Sequence, residues 1–213
     1  SEILASHADC DRVQDAYCFR CSPQVHGPVI DIVREVRRIL EIEINSATDN
    51  PLVFVEGEDS EIISGGNFHG QNLAMASDTI ALACHELASV SERRINQLLD
   101  PSWSGQKPFL ANEEGLESGL MIIQYVAASL VSELHLIANP ATSSNVPVSM
   151  GKEDHASMGA TGAFRSTIST RYLSQVIANE MICACEALDR IEEAPGKGVE
   201  TIRGWVRKYA LPL

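Results

Sequence analysis

Basic charge is scarce in this 213-residue chain: 16 lysines and arginines stand against 29 aspartates and glutamates, a formal net charge of −13. Such a surface has little to neutralise a run of phosphates, which argues against nucleic acid as a partner. The arginines that do cluster are Arg34, Arg37 and Arg38 in one segment and Arg93 and Arg94 in another. They suit solvated faces or interface pairs better than a ligand site. No uninterrupted apolar run reaches the roughly 20 residues of a membrane-spanning helix, and no secretory leader is visible.

Cysteine is too sparse for a disulfide scaffold, with six in the whole chain. Cys84, Cys183 and Cys185 fall in helical patterns, where a thiol behaves as a small buried apolar group. Cys18-Phe19-Arg20-Cys21 has the spacing of a redox pair or half a zinc site. No second such pair and no His-x-x-x-His follows it, and no βαβ pattern surrounds it. The histidines (His7, His26, His69, His85, His135 and His155) are scattered, so no metal site is expected. The dinucleotide fingerprint and the Walker pattern are also missing. This cysteine usage fits a reducing, cytoplasmic compartment.

What the chain has is helical periodicity. Leu73, Ala76, Ile80, Ala83, Leu87 and Val90 recur at steps of three and four, as do Ile123, Ala127, Leu130, Leu134 and Ile137. Leu173, Ile177, Met181, Ala184, Leu188 and Ile191 form a third series. This spacing predicts long helices over 71–99, 120–138 and 161–191, packed side by side at shallow angles. Shorter helices are expected from Pro28, a favourable first-turn residue, to Ile44 and from Val199 to Tyr209. Asp100-Pro101, Asn139-Pro140 and Ala194-Pro195-Gly196 end the long helices. Residues 141–151, rich in Ser, Asn and Pro, read as a loop. A small hairpin with Asp59-Ser60 at its tip is expected between Val53-Phe54-Val55 and Ile62-Ile63. The expected fold is all-α, a long-helix bundle forming a single domain over 1–213, with at most that hairpin near 53–63. Helices of thirty residues extend about 45 Å, more than one small subunit readily covers, so a homo-oligomer is expected over a monomeric bundle.

Several polar residues sit where chemistry could use them. The guanidinium of Arg20 can hold a carboxylate through two parallel charge-assisted bonds, although an isolated arginine is usually a surface residue. Tyr17, three residues earlier, projects to the same side if the segment is helical; its hydroxyl can donate or move a proton, or simply be a satisfied buried phenol. Phe68 stands in a turn of small residues, Gly65-Gly66-Asn67-Phe68-His69-Gly70, and is free to line a pocket, while Asn67 and His69 can fix the turn by hydrogen bonds, with a pocket-facing His69 as the alternative. Glu153-Asp154-His155 has the composition of a helix start, a role that would need no chemistry.

Taken in order, Gln14-Asp15-Ala16-Tyr17-Cys18-Phe19-Arg20, Pro23-Gln24-Val25-His26-Gly27-Pro28, Asn45-Ser46-Ala47-Thr48-Asp49-Asn50-Pro51-Leu52, Ser64 to Gly70 and Lys152 to Gly159 resemble the aromatic amino acid lyases. The likeness extends over nearly the whole chain. It implies elimination of ammonia from an aromatic amino acid, and a homotetramer built on a central helical bundle. It also implies an electrophilic prosthetic group, 4-methylideneimidazol-5-one, made from an internal Ala-Ser-Gly. No Ala-Ser-Gly occurs here: each Ala-Ser is followed by His7, Asp78, Val90, Leu130 or Met158. Because the chain opens on Ser1 and enters its first motif almost at once, it is expected to be the C-terminal portion of a longer lyase.

By the same resemblance, Arg20 anchors the substrate carboxylate. Tyr17 and Gln14 lie in the active site beside the prosthetic group, and Phe68 packs against both substrate and prosthetic group. Glu153 matches a glutamate that members acting on histidine place near the substrate side chain. A carboxylate can pair with imidazole, whereas a purely apolar ring would leave it unpaired and costly to bury. The expected reaction is therefore L-histidine to urocanate and ammonia, with Tyr17 and Glu153 as catalytic residues. Lys152 departs from the family, where glutamine is common, and weakens the substrate assignment. Two alternatives stand beside this: a lyase or aminomutase for tyrosine or phenylalanine with the same prosthetic group, and a non-catalytic helical oligomerisation module.

Overall fold

The structure is a computed structural model and describes Ala5, Cys10 and residues 12–213. His7 lies outside the described residues. The elements in order are α1 (Tyr17–Arg20), α2 (Ser22–Glu43), β1 (Leu52–Glu56), β2 (Asp59–Ile63), α3 (Gln71–Leu99), α4 (Pro101–Ser104), α5 (Met121–Ile137), α6 (Gly159–Leu188) and α7 (Lys197–Val206). The all-α expectation holds, and the two strands form the single expected hairpin.

Three local expectations need correction. Helix α2 begins at Ser22, which puts Pro28 inside it and not in its first turn. The residue before a proline normally resists helical geometry because its Cβ meets the proline ring; here that residue is Gly27, with no Cβ and open space around it. In the hairpin, Glu56 pairs with Asp59, so the tip is Gly57-Glu58, with Gly57 at φ 64°. A two-residue turn needs such a positive φ, which glycine supplies without steric cost, so Asp59 and Ser60 belong to the second strand. Helix α6 stops at Leu188, three residues before Ile191. Helix α3 ends as expected. The Asp100 carboxylate accepts from the Ser102 hydroxyl at 2.6 Å and its backbone N–H at 2.9 Å, which caps α4 and holds the carboxyl below the usual range.

Contacts within the chain divide it into two compact units. The first comprises 1–26, 85–134 and 171–213; the second comprises 27–84 and 135–170. The first unit buries Ile95, Leu110, Leu134, Val176 and Cys183 completely or nearly so. It also carries an ion network: Glu186 accepts from Arg190 at 2.9 Å and from Arg207 at 3.0 Å, and Asp189 accepts from Arg203 and Arg207. In the second unit the buried residues are mostly small, among them Ala74, Ala76, Ala81 and Ala83.

The predicted seams fare unevenly. On α5 the inward face is the expected one, with Ala127 and Leu134 buried. On α3 the buried residues are mainly small, while Leu73, Met75 and Leu82 are exposed. Small residues permit close backbone approach inside the chain, and the bulky apolar ones are left facing outward. Helix α5 repeats the pattern, with Ile122, Tyr125, Val126 and Leu136 exposed. By length and composition alone, the segment Met121–Ser143 is apolar enough to cross a membrane. The sequence expectation therefore holds only for uninterrupted runs, since Gln124, Glu133 and His135 break this one.

Candidate active site

A cavity of about 680 Å³ opens in the first unit, lined among others by Gln14, Phe19, Arg20, Gln97 and Trp103. Its geometry follows from α1, which is a single turn. Cys18 points inward and is buried, so Tyr17 and Arg20, on the opposite side of the turn, are both exposed. Beneath the turn, Glu180 accepts from Arg94 through Nε and, at 2.8 Å, through Nη2, and from the Ser91 hydroxyl at 2.5 Å. Burial pushes the Cys18 thiol pKa up, and the nearby Arg94 offsets that only in part. Cys18 and Cys21 are both free thiols, and a protonated, buried Cys18 is a structural residue and not a redox nucleophile.

Two of the expected site residues, Gln14 and Arg20, thus share one cavity. Tyr17 is 67% exposed, which removes the reading of a buried phenol, but it does not line that cavity. Sequence reading missed Gln97 and Trp103. Gln97 Oε1 is buried without a hydrogen-bond partner, an acceptor free to meet an N–H. Arg12 lies 5.7 Å over the Trp103 ring and donates to the Trp103 carbonyl. Neither residue carries a motif, and only the fold brings positions 97 and 103 to Arg20.

Phe68 and Glu153 belong to the second unit. Asn50 Oδ1 accepts from the Ser64 hydroxyl at 3.1 Å and from Gly65 N–H at 3.0 Å, and Asn67 donates to the Ala47 carbonyl at 2.7 Å. Gly70 then turns the chain into α3 at φ 72°. Held at both ends, this turn presents Phe68 outward, 58% exposed. The segment bearing Glu153 is anchored at its start by Asp78. That carboxylate, 8% exposed, accepts from the N–H groups of Ala141 and Thr142 at 2.9 and 3.0 Å and from the Thr142 hydroxyl at 2.8 Å. Val148 and Glu153 then exchange backbone bonds of 2.9 and 3.3 Å, and Asn145 clamps Ala156 through both backbone groups. Glu153 itself is exposed and begins no helix, since α6 starts only at Gly159. Among the described residues, no three His, Cys, Asp or Glu side chains are grouped to hold a metal.

The model of the family described as "Aromatic amino acid lyase" matches residues 1–208. The chain belongs to the aromatic amino acid lyase family. It is 48% identical to the histidine ammonia-lyase of Myxococcus xanthus over 93% of its own length, and 51% identical to that of Geobacillus thermodenitrificans over 84%. Among solved structures, the histidine ammonia-lyase of Trypanosoma cruzi superposes with a TM-score of 0.88 at 40% identity, covering 93% of this chain and 39% of that one. The phenylalanine aminomutase of Pantoea agglomerans superposes with a TM-score of 0.89 at 31% identity, covering 99% of this chain and 42% of that one. The chain spans 39% of the Myxococcus protein and 35% of the Geobacillus one.

Proposed function

We propose that this chain serves as the C-terminal part of a cytoplasmic, homotetrameric histidine ammonia-lyase that converts L-histidine to urocanate and ammonia. The observation that carries the reading is the cavity holding Arg20 and Gln14 in a chain this similar to histidine ammonia-lyases. Arg20 holds the substrate carboxylate in its planar fork, and Gln14 donates its amide beside it. The Tyr17 hydroxyl, open to solvent, moves a proton at Oη. Phe68 packs on the substrate ring, and Glu153 accepts an imidazole N–H.

The prosthetic group 4-methylideneimidazol-5-one, where present, supplies the electrophile that makes the amine a leaving group. The exposed donor set of the first unit, a phenol at Tyr17 and a carboxamide at Gln14, fits a planar group bearing a carbonyl. With no Ala-Ser-Gly of its own, the chain cannot form that group, and the isolated 213 residues are expected to be inactive. The tetramer is supported by the bulky apolar residues left exposed on α3 and α5.

The likeness to aminomutases keeps a second reading in view, transfer of the amine to the β-carbon of phenylalanine or tyrosine. The test is to incubate the complete lyase separately with L-histidine, L-phenylalanine and L-tyrosine. Urocanate absorbance from L-histidine as the dominant product is the expected result. A β-amino acid, or faster turnover of phenylalanine or tyrosine, overturns it.

A further inference from the structure

His69 and His155 are 86 residues apart and meet: their rings stack, offset, with centroids 5.3 Å apart and planes at 23°. His69 Nε2 lies 2.9 Å from the backbone carbonyl of His155. A carbonyl only accepts, so the proton sits on Nε2 of His69, and that N–H is the donor. His155 Nδ1 is 3.3 Å from the same nitrogen, within reach of this N–H as a second acceptor.

The contact joins two segments that are each anchored elsewhere. One is the turn of Phe68, tied back through Asn67 to Ala47. The other is the stretch from Glu153, tied through Val148 and through Asn145 to Ala156. His69 directly follows Phe68, and His155 lies two residues beyond Glu153. His155 is exposed and His69 half-buried, so their stacking is not imposed by burial in a core. Just beyond the pair, Ser157 Oγ lies 3.8 Å from the position a Cβ would take on Gly70.

We propose that His69 and His155 form a positioning pair that locks the Phe68 turn to the Glu153 segment, with an N–H donor at position 69 as its essential element. The proposal rests on the reading that Phe68 and Glu153 meet the substrate ring. The pair touches no reacting atom; it sets the offset between an apolar ring contact and a carboxylate, and hence how well a polar ring is told from an apolar one. His69→Gln keeps an N–H donor at nearly the position of Nε2, whereas His69→Ala removes it. His155→Ala keeps the carbonyl acceptor and loses only the ring stack and the second acceptor.

The experiment compares these three variants with the wild type in the complete lyase, by selectivity and by amide hydrogen exchange. In His69→Ala, the kcat/KM ratio between the best substrate and the next best shrinks about tenfold, as losing a hydrogen bond in a site implies. Its Glu153 and Ala156 amides, bonded to Val148 and Asn145, exchange faster. His69→Gln restores both readouts, His155→Ala falls between, and the thermal midpoint moves little because neither ring lies in the core. Wild-type selectivity and exchange in His69→Ala, or a Gln variant no better than Ala, overturns the proposal. Hydrogen exchange needs no substrate, so a lyase that prefers another amino acid overturns the histidine reading while the lock is still decided.

Discussion

Asp78→Ala should destabilise the second unit more than any other single change on the path to Glu153. Asp78 supplies three hydrogen bonds to the start of the loop, two of them to backbone N–H groups, and Ala141 is 1% exposed. Removing the carboxylate orphans both backbone donors, and each buried unpaired donor costs about 1–3 kcal/mol, so about 3 kcal/mol in total is expected. The Thr142 hydroxyl can rotate to another partner and adds little. Asp78→Asn keeps one acceptor and should lose about half as much, while Thr142→Val should cost about 1 kcal/mol. Urea denaturation followed by far-UV circular dichroism reads these differences from the midpoint, provided the slope is unchanged. An Asp78→Ala protein within 1 kcal/mol of wild type would mean the loop finds other partners, and the anchoring argument would be wrong.

Light scattering at micromolar concentration should report a dimer or larger, because Leu73, Met75, Leu82, Ile122, Tyr125 and Leu136 are exposed on long helices; a monomer throughout would contradict the covered-face argument. Burial pushes the Cys183 thiol up to about 12 from 9.0. Above pH 9 the unfolded chain releases this proton while the folded one keeps it, so stability should fall from pH 9 towards 12; Cys183→Ala should flatten that limb of the denaturation profile. Arg20→Lys keeps the charge but loses the planar fork, so kcat/KM should fall at least about tenfold for every amino acid accepted. A loss confined to one substrate would make Arg20 a side-chain contact and not the carboxylate anchor.

Helix limits were legible where hydrophobic period and breakers agree, as at Gln71 and at Asp100-Pro101. They were misread where a local rule was overridden. Gly27 relieves the constraint that Pro28 would otherwise impose, and Gly57 moves the hairpin tip by two residues. Which face of α3 turns inward was not legible, because both its small and its large residues recur at helical spacing. The choice depends on which neighbour comes close enough to need alanine. In the candidate site, the motif around Arg20 singled it out in the sequence, and the fold puts it on one cavity with Gln14. Gln97, Trp103 and the His69–His155 contact were invisible, since each arises from tertiary proximity between segments with no shared pattern.

On the proposed reading, Glu153 accepts from the polar edge of a histidine ring. The most direct test of that reading is kcat/KM for L-histidine and L-phenylalanine in the complete lyase and in its Glu153→Gln variant. A charged hydrogen bond of this type contributes about 1.5–3 kcal/mol, so the preference for histidine should narrow by about tenfold or more, with phenylalanine turnover little changed. An unchanged preference would make Glu153 a structural residue and contradict the account.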